Sequence, residues 1–226
     1  MSDNYVSINL PSKCLTYEGI KDGDIKIRKF KGSDAELMSE LNYDNLSKTF
    51  KCILEQCVQG IEIGKLTIGD VAFLMLWEAV NSYSKTINFP VFCEKCKKES
   101  HTSFDLSQIE IEYFPSDLKL PIEVDIDGEK HKFTYPTLDN EINILDYKLE
   151  GNSTYLYSMA SCMVSGSEDI EKRIEYLSEV SLVAIKNIEK EFDKYFHGPV
   201  FSAKVKCAKC QTEVLIDVPF RFEDIF

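Results

Sequence analysis

The chain has 226 residues, with 26 lysines and arginines against 38 aspartates and glutamates, and a formal net charge of −12. A surface of that sign repels polyanions, which argues against a bare duplex-binding role. With 44% apolar and 28% charged residues, 10 glycines and 7 prolines, the composition is that of a folded globular protein and neither a disordered nor a fibrous one.

No segment approaches the ~18 to 20 consecutive apolar residues of a membrane span. The longest run, Val71 to Trp77, meets Glu78 at once. The start, Met-Ser-Asp-Asn-Tyr, has neither the basic nor the apolar region of a secretory signal, so synthesis in a reducing cytoplasm is expected. The cysteines therefore need another explanation than disulfides.

In chain order, an extended start at Val6 to Leu10 precedes a strand at Ile25 to Phe30. Ser33-Asp-Ala-Glu36 is a capping box that opens a helix through about Leu41. Two further helices follow. One covers roughly Leu46 to Val58. The other starts at Thr67, with Asp70 three residues on, and reaches about Tyr83. Its run Val71-Ala-Phe-Leu-Met-Leu-Trp77 is apolar around the whole circumference, the mark of a buried central helix. The segment around Cys93 then reads as strand, knuckle, strand.

From Ile122 the order starts again. Strands Ile122 to Ile126 and His131 to Tyr135 are joined at Asp127-Gly128, a hairpin turn signal, and Thr137 precedes a helix ending near Glu150. A helix over about Thr154 to Val164 follows. A long amphipathic one then runs from Ser167 to His197, its apolar stripe set by Ile170, Ile174, Leu177, Ala184, Ile185, Ile188, Phe192 and Phe196. Gly198-Pro199 stops it, and the Cys207 hairpin comes next. The predicted fold is α+β and predominantly helical. Strand, three helices and cysteine hairpin occur twice, in halves 1–110 and 111–226 that form one compact unit.

Of eight cysteines, four are paired in sequence: Cys93 with Cys96, and Cys207 with Cys210. A C-x-x-C at a tight turn aims two thiolates and neighbouring backbone N–H groups at one point, and two such knuckles complete the tetrahedral thiolate shell that zinc prefers. One shared, structural Zn²⁺ held by Cys93, Cys96, Cys207 and Cys210 is expected, clasping the halves in a zinc-ribbon-like joint. The 110 residues between Cys96 and Cys207 exclude a single local ribbon. They are a weak entropic objection, since closure entropy grows logarithmically. A redox role fits less well, because neither pair opens a helix. Four thiolates leave no open position for water or substrate, which counts against catalysis by this metal.

The remaining groups hold no catalytic constellation. There is no H-E-x-x-H, G-x-S-x-G or glycine-rich phosphate loop. His101 is surplus as a metal ligand, and His131 and His197 read as surface sites. Cys52, Cys57 and Cys162 are expected to be buried. Lys95, Lys97, Lys98, Lys204, Lys206 and Lys209 crowd the knuckles. Lysine-bearing zinc knuckles can bind RNA or single-stranded DNA, which makes a ribbon adaptor the alternative function. The simpler account is that these ammonium groups offset the net negative charge of a zinc–tetrathiolate cluster, while Phe89, Phe92, Phe104 and Phe201 form hairpin core.

Leu10-Pro-Ser-Lys13 followed by Tyr17, Ile25-Lys-Ile-Arg28-Lys-Phe, Leu66-Thr-Ile-Gly-Asp70, Leu74-Met-Leu-Trp77 and Asn81-Ser-Tyr83, together with the two C-x-x-C pairs, resemble the T4-type baseplate protein family of contractile-tailed bacteriophages. The resemblance runs over most of the chain. It implies a structural or assembly protein of the baseplate hub that acts through contacts with other tail proteins, without an enzymatic reaction. It also implies a place in the host cytoplasm during assembly or in the virion's tail baseplate. Cys14 stands where the family pattern implies a glycine after Leu-Pro-Ser-Lys. At the other end, Phe220, Phe222, Ile225 and Phe226 make an apolar tail that is either tucked over the core or offered to a partner.

Overall fold

The computed structural model describes residues 4–39 and 45–220. Strand β1 (Val6–Ser7) pairs antiparallel with β2 (Lys26–Ile27), and β2 with β3 (Val58–Gln59), giving a small three-stranded sheet. Helix α1 (Asp34–Ser39) is anchored at its first residue. The Arg28 guanidinium forks onto both Asp34 carboxylate oxygens at 2.8 and 3.1 Å, and Asp34 also accepts the Lys31 N–H at 2.7 Å. Both partners are buried, so each charge depends on the other's. In α2 (Leu46–Cys57) the buried residues Phe50, Ile53, Leu54 and Cys57 fall at helical spacing and form its inward stripe.

Helix α3 (Ile68–Glu78) is capped by Thr67, buries Val71, Leu74, Met75 and Leu76, and continues as a π-helical turn over Ala79–Tyr83. The central position expected of its apolar run is the one it holds. The first cysteine hairpin follows as β4 (Thr86–Cys93) and β5 (Lys98–Asp105). After β6 (Glu110–Glu112), β7 (Ile122–Ile126) and β8 (Glu129–Phe133) form the Asp127-Gly128 hairpin, both turn residues at positive φ as such a two-residue turn requires. Helix α4 (Leu138–Leu149) opens with a reciprocal cap between Thr137 and Asn140, and α5 (Tyr155–Cys162) follows.

The long helix expected over 167–197 is two helices, α6 (Ile170–Glu179) and α7 (Leu182–Lys194). Val180 is extended, and the Ser181 hydroxyl accepts the Ala184 N–H to start α7 while donating to Asp127 at 2.6 Å. A tertiary contact to the hairpin turn thus converts a mid-pattern serine into a cap. The chain closes with β9 (Gly198–Val200), which pairs antiparallel with β6, and with the second cysteine hairpin, β10 (Ser202–Lys206) and β11 (Glu213–Asp217). With 39% helix and 24% strand, the architecture is mixed α/β. Between the two cysteine hairpins lie four α-helices, α4–α7, where three were expected. No helix among the described residues is long and apolar enough to cross a membrane.

Three apolar clusters organise the packing. One gathers β1–β3, α2 and α3 around Leu10, Ile25, Ile27, Leu54 and Leu74. A second gathers β7, β8 and α5–α7 around Phe114, Phe133 and Ile188. The third is built from both cysteine hairpins, Phe89, Val91 and Phe104 meeting Val205, Val214 and Val218. The first two meet at the start of α3. Thr67 and Thr137 form an antiparallel bridge, with the Leu138 N–H on the Leu66 carbonyl at 2.9 Å. Gly69 lies against His197 and Gly198 so closely that a Cβ on Gly69 would stand 2.2 Å from the His197 carbonyl oxygen. A side chain there would push β9 off the helix.

Candidate metal centre

Each C-x-x-C is formed by the end of a strand and the tight turn after it. In the first knuckle the Lys97 N–H closes onto the Cys93 carbonyl at 2.8 Å; in the second the Gln211 N–H closes onto Cys207 at 2.9 Å. Lys97 and Gln211, each just after the second cysteine, both take positive φ, 54° and 60°. The two turns are therefore built alike. The shared hairpin core beneath them sets them face to face.

The four Sγ atoms of Cys93, Cys96, Cys207 and Cys210 lie within 4.8 Å of one another. Across the hairpins, Cys93 Sγ is 3.6 Å from Cys210 Sγ, and Cys96 Sγ is 3.8 Å from Cys207 Sγ. Sulfurs at the corners of a tetrahedron with metal–sulfur bonds near 2.3 Å stand about 3.8 Å apart, so the cluster has the dimensions of a tetrathiolate site. Hydrogen bonding also favours thiolates on the second knuckle. The Thr212 hydroxyl and N–H lower the Cys210 thiol to about 6, and the N–H groups of Cys210 and Lys209 lower Cys207. Burial instead pushes the Cys96 thiol up to about 11.

The other expectations divide. The six knuckle lysines are all exposed, and Lys97 pairs with Glu94. Phe89, Phe104 and Phe201 belong to the hairpin core, whereas Phe92 is 50% exposed, because strand alternation that turns Val91 and Cys93 inward turns Phe92 out. His101 is exposed on β5 and takes no part in the cluster. Cys14, Cys57 and Cys162 are buried and Cys52 is exposed. Burial pushes the Cys14 and Cys162 thiols up to about 12, which keeps them protonated and unreactive.

His197, expected at the surface, is buried and belongs to a polar network that the sequence did not reveal. Its Nε2 is 2.6 Å from the Thr67 hydroxyl. The Thr67 N–H donates to the Tyr17 hydroxyl at 2.8 Å, Tyr17 donates to Asp70 at 2.5 Å, and the other Asp70 oxygen accepts the Ser12 N–H at 2.9 Å. Asp70 and Ser12 are fully buried. Several segments singled out in sequence, Leu10-Pro-Ser-Lys13, Tyr17 and Leu66–Asp70, thus converge on one buried chain of hydrogen bonds. Cys14 sits there with φ 56°, a left-handed conformation that favours glycine, which accounts for the glycine implied at its position.

At the C-terminus, Phe220 stacks on Phe201 with ring centroids 5.1 Å apart. The remaining tail positions, Phe222, Ile225 and Phe226, lie outside the described residues.

No curated protein and no solved structure shows a significant match to the chain. A family model described as T4 bacteriophage base plate protein matches residues 10–226, from the Leu10 loop through both cysteine knuckles. On that match over nearly its whole length, the chain belongs to the T4 bacteriophage base plate protein family.

Proposed function

We propose that the chain is a structural or assembly protein of the baseplate hub, acting through contacts with other tail proteins and holding one structural Zn²⁺ between its two knuckles. The family match over residues 10–226 carries the baseplate reading. The zinc reading is supported by four sulfurs at tetrahedral spacing, two from each hairpin. On this reading Cys93, Cys96, Cys207 and Cys210 are the metal ligands, and residues 1–110 and 111–226 are two halves of one unit clasped by the ion. On this reading the protein acts through contacts without an enzymatic reaction, and the metal is structural, because a closed thiolate shell offers substrate no coordination position. It assembles in the host cytoplasm and takes its place in the tail baseplate.

Mass spectrometry of purified tails beside hub intermediates from infected cells tests the assignment. The chain should appear in the intermediates together with hub proteins. Its absence from both, or its presence in tube or sheath complexes alone, would refute the hub placement. A second reading, a ribbon adaptor for RNA or single-stranded DNA, has in its favour the exposure of Phe92 beside six exposed lysines. Sub-micromolar binding of a short single strand at physiological salt, lost when Lys95, Lys97 and Lys206 are changed with zinc retained, would favour it.

A further inference from the structure

The helices of the second apolar cluster do not close against α3. Between α3, α4, α5 and α7 lies a groove of about 670 Å³, floored by Ala72, Ile144, Met159 and Phe192. Two large side chains at its wall, Tyr155 and Phe196, are 46% and 49% exposed. An apolar groove with aromatic residues held out to water has the form of a surface that is covered in an assembly.

Its polar groups specify what covers it. Glu189 is already satisfied, by Lys186 at 2.6 Å and the Tyr155 hydroxyl at 2.9 Å. Glu141 and Asp193, which also line the groove, pair with no cation among the described residues. Burial raises the Glu141 carboxyl above its ordinary range, with no counter-charge to oppose the shift. Tyr135, 5% exposed, lines the same groove, and its buried hydroxyl has no hydrogen-bond partner among the described residues. The half-buried carboxylate of Glu141, without a cation among the described residues, is an unfinished interaction on an otherwise apolar wall.

We infer that this groove docks a segment of another tail protein that presents a large apolar side chain next to a lysine or arginine. The apolar residue fills the floor, and the cation pairs with Glu141 and Asp193. The inference rests on the baseplate reading for the class of partner. Charge decides among occupants. A second copy of a chain carrying −12 brings the wrong overall sign.

Photo-cross-linking in infected cells tests the proposal on the full chain in its natural complex. The photoreactive p-benzoylphenylalanine replaces Phe196 or Tyr155, with Leu215, 71% exposed on β11, as the comparison position. Cross-linked peptides are sequenced by mass spectrometry. Links from 155 and 196 should fall on a tail-protein segment with an apolar residue within a few positions of a lysine or arginine. Their yield should drop about tenfold in Glu141→Lys while the melting temperature is kept. Links to residues 221–226 or to a second copy would overturn the proposal. So would silence at 155 and 196 while tail proteins still copurify, an outcome that leaves the baseplate reading standing. Links to a protein outside the tail would overturn the partner class and the hub reading together.

Discussion

Thr67 and His197, 130 positions apart in sequence, meet at 2.6 Å between Oγ1 and Nε2 in a buried site. His197 also packs on Phe114, with ring centroids 3.9 Å apart, and no carboxylate among the described residues offsets the cost of charging it there. Burial lowers its proton affinity from the usual 6.5 to about 4. Between those values the unfolded chain binds the proton and the folded one does not. This contribution to stability is therefore complete above about pH 6.5 and is lost as pH falls through about 4. Up to about 3 kcal/mol is involved. Urea midpoints measured from pH 7 to pH 4 should fall steeply in the wild type and less in His197→Gln; equal slopes would contradict the assignment.

Glu78 should act with the opposite sign. It is fully buried at the end of α3, where one carboxylate oxygen accepts the Phe30 N–H at 3.1 Å and the Ser82 hydroxyl at 2.5 Å. Burial outweighs those bonds and pushes its carboxyl up to about 7 from 4.5. The folded state holds the proton more tightly, so this contribution is complete below about pH 4.5 and is lost as pH rises through 7. Glu78→Gln keeps the acceptor oxygen and removes the titration. The variant should gain on the wild type by roughly 1 to 3 kcal/mol between pH 5 and pH 8. A constant difference across that range would show that Glu78 is ionised throughout.

Gly69→Ala should be among the most damaging single-methyl changes available. The added carbon would stand 2.2 Å from the His197 carbonyl oxygen, a backbone atom that moves only with β9. Separating α3 from β9 also loosens the Thr67–His197 contact. A loss of about 3 to 5 kcal/mol is expected, roughly 6 to 20 °C in melting temperature for a chain of this size. Gly128→Ala is the comparison: it meets open space but keeps φ 94°, and should cost about 1 kcal/mol from backbone strain alone. Similar losses at the two positions would mean that the α3–β9 contact is not tight.

Much of this was legible in the sequence, and the failures have identifiable causes. Helices lie where α2, α3, α4 and α5 were expected, and for α3 and α4 the signal is local, a threonine that caps the first turn. The split between α6 and α7 was not visible, since Asp127, which fixes Ser181 as a cap, lies 54 positions away. The β6–β9 pairing and the close contact of Gly69 with Gly198 are likewise long-range. At the cysteine cluster the doubled C-x-x-C was enough to name all four residues. The left-handed Lys97 and Gln211 were not foreseeable, because neither residue type favours that conformation. His197 was misplaced for a related reason. A histidine at a helix end reads as exposed until the glycine after it turns the chain under α3, and Gly69 was the one local hint of a close approach there.

The four-sulfur cluster makes a sharper demand on metal content. If Cys93, Cys96, Cys207 and Cys210 share one ion, purified protein should carry one zinc per chain, and Cys96→Ser and Cys210→Ser should lose it to the same extent, although the cysteines lie on separate hairpins. The shared ion closes a loop between Cys96 and Cys207, 111 positions apart. A covalent cross-link over a loop of that length is worth roughly 4 to 5 kcal/mol through the unfolded state, and a tight four-ligand clasp should approach that. Chelation should therefore lower the melting temperature by roughly 8 to 20 °C. The hairpin core of Phe89, Phe104, Val205 and Val218 would remain to hold the two knuckles near each other, so re-adding zinc should restore the original transition. Two zincs per chain, or a full equivalent retained after one pair is removed, would mean that each knuckle binds metal elsewhere and that the halves are joined by apolar packing alone.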